Sequence, residues 1–139
     1  MDAGQIDFKA FPTTPAAAPD ADYEVANKKY ADTTQFNAQT GTTYTLALSD
    51  KNKLVTMSNT SANTLTVPLN SSVAFPYSAT DCTVIAIQMI NTGVTTIEGA
   101  TGVTINGVSA GSATLAQWDC ITLTKVGENT WLAVGGTFA

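Results

Sequence analysis

From Thr42 onward, apolar residues recur at every second position, in runs too short for helices. Tyr44, Leu46 and Leu48 alternate with Thr43, Thr45 and Ala47. A period of two puts alternate side chains on opposite faces of a strand. The runs end at turn-forming residues: Ser49-Asp50-Lys51-Asn52, Ser61-Ala62-Asn63, Asn91-Thr92-Gly93 and Gly127-Glu128-Asn129. Further strands are expected at 53–59, 64–67 (closed by Pro68), 82–90, 94–97, 103–105, 114–116, 119–126 and 130–134. Asn106-Gly107 reads as a type I′ hairpin turn, which needs positive φ at both central residues. Eight or nine short strands of this kind predict an all-β domain over 42–139, a sandwich or a barrel.

Within it, 82–90 is the most apolar run. Val84-Ile85-Ala86-Ile87 and then Met89-Ile90 give apolar side chains on both faces, which predicts a central strand buried on both sides. Residues 69–81, with Val73, Phe75 and Tyr77, read as a loop covering one end of the core. Phe75 and Tyr77 also make it the candidate receptor-facing loop. Trp118 and Trp131 read as core or end-cap residues.

The preceding third of the chain is different. Residues 1–19 form an arm in which Ile6, Phe8 and Phe11 are the large apolar side chains and Pro12, Pro15 and Pro19 oppose helix. It is either a solvated tail or an anchor lying in a partner's groove, and the three apolar residues favour the anchor. Residues 20–41 hold one short helix and a polar connector. Asp22 suits an N-cap, Glu24 the first turn and Lys28-Lys29 the last. Tyr23, Ala26 and Tyr30 share a face. A helix of about ten residues is marginal alone. Its stripe packs on the β domain or on the same helix of other copies.

The core of that stretch, Ala26-Asn27-Lys28-Lys29-Tyr30-Ala31-Asp32, following Phe11-Pro12-Thr13-Thr14-Pro15, resembles a lysine-lysine-tyrosine segment of bacteriophage tail-fibre and other fibrous virion proteins. Asn27 stands where that family usually has Thr, and Ala31 where it has Val. The β region adds to the likeness. Leu65-Thr66-Val67-Pro68, Val103-Thr104-Ile105-Asn106-Gly107 and Lys125-Val126-Gly127-Glu128-Asn129-Thr130-Trp131 look like a small β module of phage structural proteins. The resemblance implies a non-enzymatic virion protein assembled in the bacterial host cytoplasm. It implies a homotrimer with other virion proteins, a major capsid or tail protein, as partners. Capsid decoration or head fibre is the first expectation. A short tail fibre that meets a host receptor is the alternative.

The composition argues the same way. Formal net charge is −5, and all six basic residues are Lys. Phosphate binding needs clustered Lys and Arg, so nucleic acid is an unpromising partner. Charged residues are only 12% of the chain, so much of its surface is polar without charge. No apolar run is long enough to span a membrane as a helix, and the first residues lack the pattern of a signal peptide. There is no histidine, which removes His-based nucleophile activation and makes a zinc site with Cys82 and Cys120 unpromising. Those cysteines read as two buried thiols or a cross-strand disulfide. A glycosidase needs two carboxylates in a cleft. Asp50, Asp81, Glu98, Asp119 and Glu128 lie in or beside predicted turns instead. No catalytic, cofactor or metal residues are expected.

Overall fold

The alternating runs form strands. A computed structural model describes residues 36–138, and these hold twelve: β1 (Phe36–Gln39), β2 (Thr43–Thr45), β3 (Leu54–Met57), β4 (Asn63–Val67), β5 (Val84–Met89), β6 (Thr95–Gly99), β7 (Thr104–Ile105), β8 (Val108–Ser109), β9 (Ser112–Leu115), β10 (Cys120–Gly127), β11 (Thr130–Gly135) and β12 (Thr137–Phe138). One 3-10 turn spans Leu48–Asp50. They form two sheets packed as a β-sandwich. The seven-stranded sheet runs β1-β3-β5-β10-β11-β7-β8, and the five-stranded sheet runs β12-β9-β6-β4-β2.

The first half is a stack of rungs. β1 with β2, β3 with β4, and β5 with β6 each place one strand in each sheet. Each strand pairs in parallel with its counterpart in the next rung. The chain then reverses. β9 and β10 pair antiparallel to β6 and β5, and β11 folds back on β10. Asn106 and Gly107 have φ of 49° and 82° and turn β7 into β8 as expected.

Inward positions build the core. Val55, Met57, Leu65, Ile85, Ile87, Met89, Ile97, Leu115, Ile121, Leu123 and Trp131 are all fully buried between the sheets. Each such side chain contributes about 1.5–3 kcal/mol by leaving water. Phe75 closes one end, packed edge-to-face on Trp131 with ring centres 5.5 Å apart.

Several expectations need correction. β5 is central but buried on one face only. Ile85, Ile87 and Met89 point inward, whereas Val84 is 40% exposed. The first strand of the predicted domain stops at Thr45. Leu46 is buried, and the 3-10 turn then leaves Leu48 exposed. Most instructive is β1, which falls in the expected polar connector and puts the sheet's start at Phe36. Its alternation is inverted. Phe36 and Ala38 point outward, and Asn37 and Gln39 point inward beside Val55 and Met57 of the next rung. The inward polar groups satisfy one another. Gln39 Nε2 donates to Asn37 Oδ1 (2.6 Å), and Asn37 Nδ2 donates to Tyr44 Oη and Asp50 Oδ1 (2.8 Å each). Tyr44 Oη donates to Asp50 Oδ2 (2.6 Å), which also accepts from the Ala47 amide (2.8 Å). A hydrogen-bonded set thus ends the stack of rungs where the apolar columns stop. The arm with Ile6, Phe8 and Phe11, and the helix with Tyr23, Ala26 and Tyr30, lie outside the described residues.

Candidate interaction surface

Inward side chains serve folding, so the outward ones are where function can be sought. On the seven-stranded sheet, one outward row crosses five strands: Phe36, Leu54, Ala86, Thr122 and Val134. The next row holds Val84, Thr124 and Leu132. A third holds Ala38, Thr56, Gln88 and Cys120. No outward position on these five strands carries a charge. Phe36 is 65% exposed, Val134 75% and Leu132 49%, and Val126 at the β10 bulge is exposed too. An uncharged face of this width, with Phe36, Leu54, Val84, Val126, Leu132 and Val134 set among Thr56, Thr122, Thr124 and Gln88, is unusual on a chain that remains alone in water.

The five-stranded sheet presents the opposite chemistry. Thr43, Thr64, Thr96, Thr114 and Thr137 form one unbroken outward row across all five strands. Thr45, Thr66, Glu98 and Ser112 form the row beside it. Threonine keeps the β-branched shape that strands favour while giving water a hydroxyl. This face needs no cover.

The two ends of the sandwich also differ. At one end the 68–83 excursion is tied down by Lys125, which is almost wholly buried. Its Nζ donates to the Phe75 carbonyl (2.9 Å) and to Asn70 Oδ1. It stands 5.1 Å from the centre of the Tyr77 ring and 5.9 Å from that of Trp131. Burial lowers the Lys125 pKa, and the charge of Glu128 opposes that shift. Thr83 Oγ1 donates to the Pro76 carbonyl (2.8 Å), and Lys51 pairs with Asp81. These contacts make the excursion a lid on the core.

At the other end, loops 40–42, 58–62, 90–94 and 116–119 carry the chain between the sheets. Gly93 packs so closely that a Cβ there would sit 2.3 Å from the Ser61 carbonyl oxygen. Asn59 Nδ2 donates to the Thr40 carbonyl (2.7 Å). The last of these loops is a tight turn. The Asp119 amide donates to the Ala116 carbonyl (3.0 Å), and the Ala116 amide donates to Asp119 Oδ2 (2.9 Å). Its third residue is Trp118, with φ at 72°. Glycine is the usual occupant there, because an L side chain in left-handed backbone costs about 1–2 kcal/mol. The Trp118 side chain is nevertheless 66% exposed.

Placed on this map, the sequence-based candidates divide. Phe75 is 1% exposed and cannot meet a receptor, because it plugs the core against Trp131. Tyr77 is partly exposed, with its ring engaged by Lys125. Trp131 is a core residue, but Trp118, in the 116–119 turn, is mostly exposed. Cys82 and Cys120 are exposed and free rather than buried or bonded. Cys120 opens β10 on the outer face, and Cys82 precedes β5, in a β-bridge to Tyr77. Asp50 is held in the polar set behind β1, Asp81 by Lys51 and Asp119 in its own turn. Among the described residues no three His, Cys, Asp or Glu side chains gather as a metal site would need. The clearest signal for the apolar face was in the sequence: the two-sided apolar character of 82–90. Among the described residues it marks an outer face with no second sheet packed on it, not a doubly buried strand. A surface cavity of about 350 Å³ lies where the two sheets' far edges meet, lined by Ile105, Asn106, Val108, Gly111, Ser112 and Phe138. No protein-family model, curated protein or solved structure matches the chain.

Proposed function

We propose that the chain is a non-enzymatic structural protein of a bacteriophage virion, working as a homotrimer. The first reading is a capsid decoration or head-fibre protein that attaches to a major capsid protein. The observation that carries self-association is the uncharged aliphatic outer face of the seven-stranded sheet. Copies of a chain with net charge −5 repel one another in general. They can meet through a face that brings no like charges together and removes apolar surface from water. The lysine-lysine-tyrosine segment and the order of the β pieces support the virion assignment.

A second reading, a short tail-fibre protein that contacts the host, is favoured by one observation: the exposed Trp118 at the loop end. Immunogold labelling of intact particles with antibody against residues 36–138 separates the two. Gold spread over the head is the expected result. Gold at the tail tip selects the second reading. Purified particles without the polypeptide contradict both.

A further inference from the structure

We propose that Trp118 is the stacking platform of a binding site for a neutral sugar. Three observations converge. The aromatic side chain is mostly in water, although its backbone sits where glycine is at ease. Folding alone favours a different residue there. The backbone is also held firmly: besides the turn bonds, the Trp118 amide donates to the Met89 carbonyl (2.7 Å), and the Met89 amide donates to the Asp119 carbonyl (3.1 Å). The ring is therefore carried on a fixed backbone, so presenting it to a ligand needs no ordering of the turn.

The surroundings set the ligand's chemistry. The exposed Val94 is the last residue of loop 90–94, just before β6, whose neighbour β9 leads into the Trp118 turn. Gln117, Thr60, Ser61 and Thr92 supply exposed amide and hydroxyl groups at the same end. Loops 40–42, 58–62, 90–94 and 116–119 contain no Lys, and their one carboxylate, Asp119, is used in the turn. An anionic ligand finds no counter-charge there, and a cationic one finds only that engaged group. A hexose has an apolar face of C–H bonds that packs on an indole ring, and a rim of hydroxyls that exchange hydrogen bonds with amides and hydroxyls. The turn sets this site, whichever part of the virion carries the chain.

The test is a printed array of neutral, sialylated and sulfated oligosaccharides probed with labelled full chain. Trp118→Ala, Trp118→Tyr and Trp118→Gly are run beside it. Neutral glycans should bind. Trp118→Ala and Trp118→Gly should weaken that binding at least tenfold, and Trp118→Tyr should keep it within a few-fold. Trp118→Gly should melt no lower than the parent, since it relieves the turn, so its loss of binding is not a loss of fold. Tryptophan emission should shift on titration with the best neutral glycan, reporting Trp118 because Trp131 is buried. Failure to bind any neutral glycan, preference for anionic glycans, or equal binding by Trp118→Ala overturns the site. So does a change of oligomeric mass in Trp118→Ala, which makes Trp118 a contact between copies.

Discussion

The two outer faces of this sandwich are built on the same plan and finished in opposite ways. Both sheets bury their inward positions against a shared core, and both stack three parallel rungs before the chain reverses. Outward, one sheet shows Phe36, Val84, Leu132 and Val134, and the other shows a row of five threonines. Folding constrains outward positions weakly, because strand geometry accepts valine and threonine about equally. The difference is therefore not demanded by the fold. One face is composed to stay in water, and on the proposed reading the other is composed to leave it.

The comparison rests first on inward and outward positions doing different work. The largest effect should come from the core. Ile87→Ala is expected to cost about 2–5 kcal/mol in urea unfolding, by lost burial and the cavity left behind. Next is the aliphatic face. Leu132→Asp together with Val134→Asp should dissociate the assembly, at least a hundredfold in the association constant, while circular dichroism of the β fold stays unchanged. The matched substitution on the other face, Thr64→Asp with Thr96→Asp, should leave the sedimentation coefficient as it was. If that pair dissociates the assembly instead, the faces have been assigned the wrong way round.

The smallest effect sits where the two sheets begin. There Tyr44 of β2 joins Asn37 of β1 and Asp50. Burial, and then the hydrogen bond and charge of Asp50, push the Tyr44 pKa from 10.0 up to about 12. The folded state thus favours the neutral phenol. That contribution is intact below pH 10 and lost as pH rises toward 12. Tyr44→Phe should flatten the fall in stability across this window, modestly, since the group is partly solvated. Lys125 acts with the opposite sign. Its folded pKa is lowered, so its unfavourable burial as a cation is relieved as pH rises toward 10.5. Lys125→Met should remove that relief, and urea titrations at pH 9 and pH 11 check both.

How much of this could be read from the residues follows the same division. Period-two runs and the Asn106-Gly107 turn marked the β class and most strands, because local pattern and turn chemistry act over a few residues. β1 was illegible because its alternation is inverted. Asn37 points inward because Tyr44 and Asp50, seven and thirteen residues along the chain, receive its amide, and Gln39 because it donates to Asn37 in turn. The 69–81 excursion read as a cover for one end of the core, and it is one; Phe75 read also as a receptor-facing aromatic, because nothing local shows that Lys125, fifty residues away in sequence, binds its carbonyl or that its ring packs on Trp131. Trp118 read as a core or end-cap residue by its size, since nothing local reveals a left-handed turn without glycine. The aliphatic face was visible as two-sided hydrophobicity, but a sequence does not say whether the second side is covered by its own fold or by another copy.

That question is the centre of the account, and sedimentation velocity of the full chain at micromolar concentration, beside the Leu132→Asp, Val134→Asp variant, tests it most directly. The parent should sediment as a particle of about three times the 14.4 kDa chain, and the variant as a folded single chain. A monomeric parent, or a variant that remains trimeric, would contradict it.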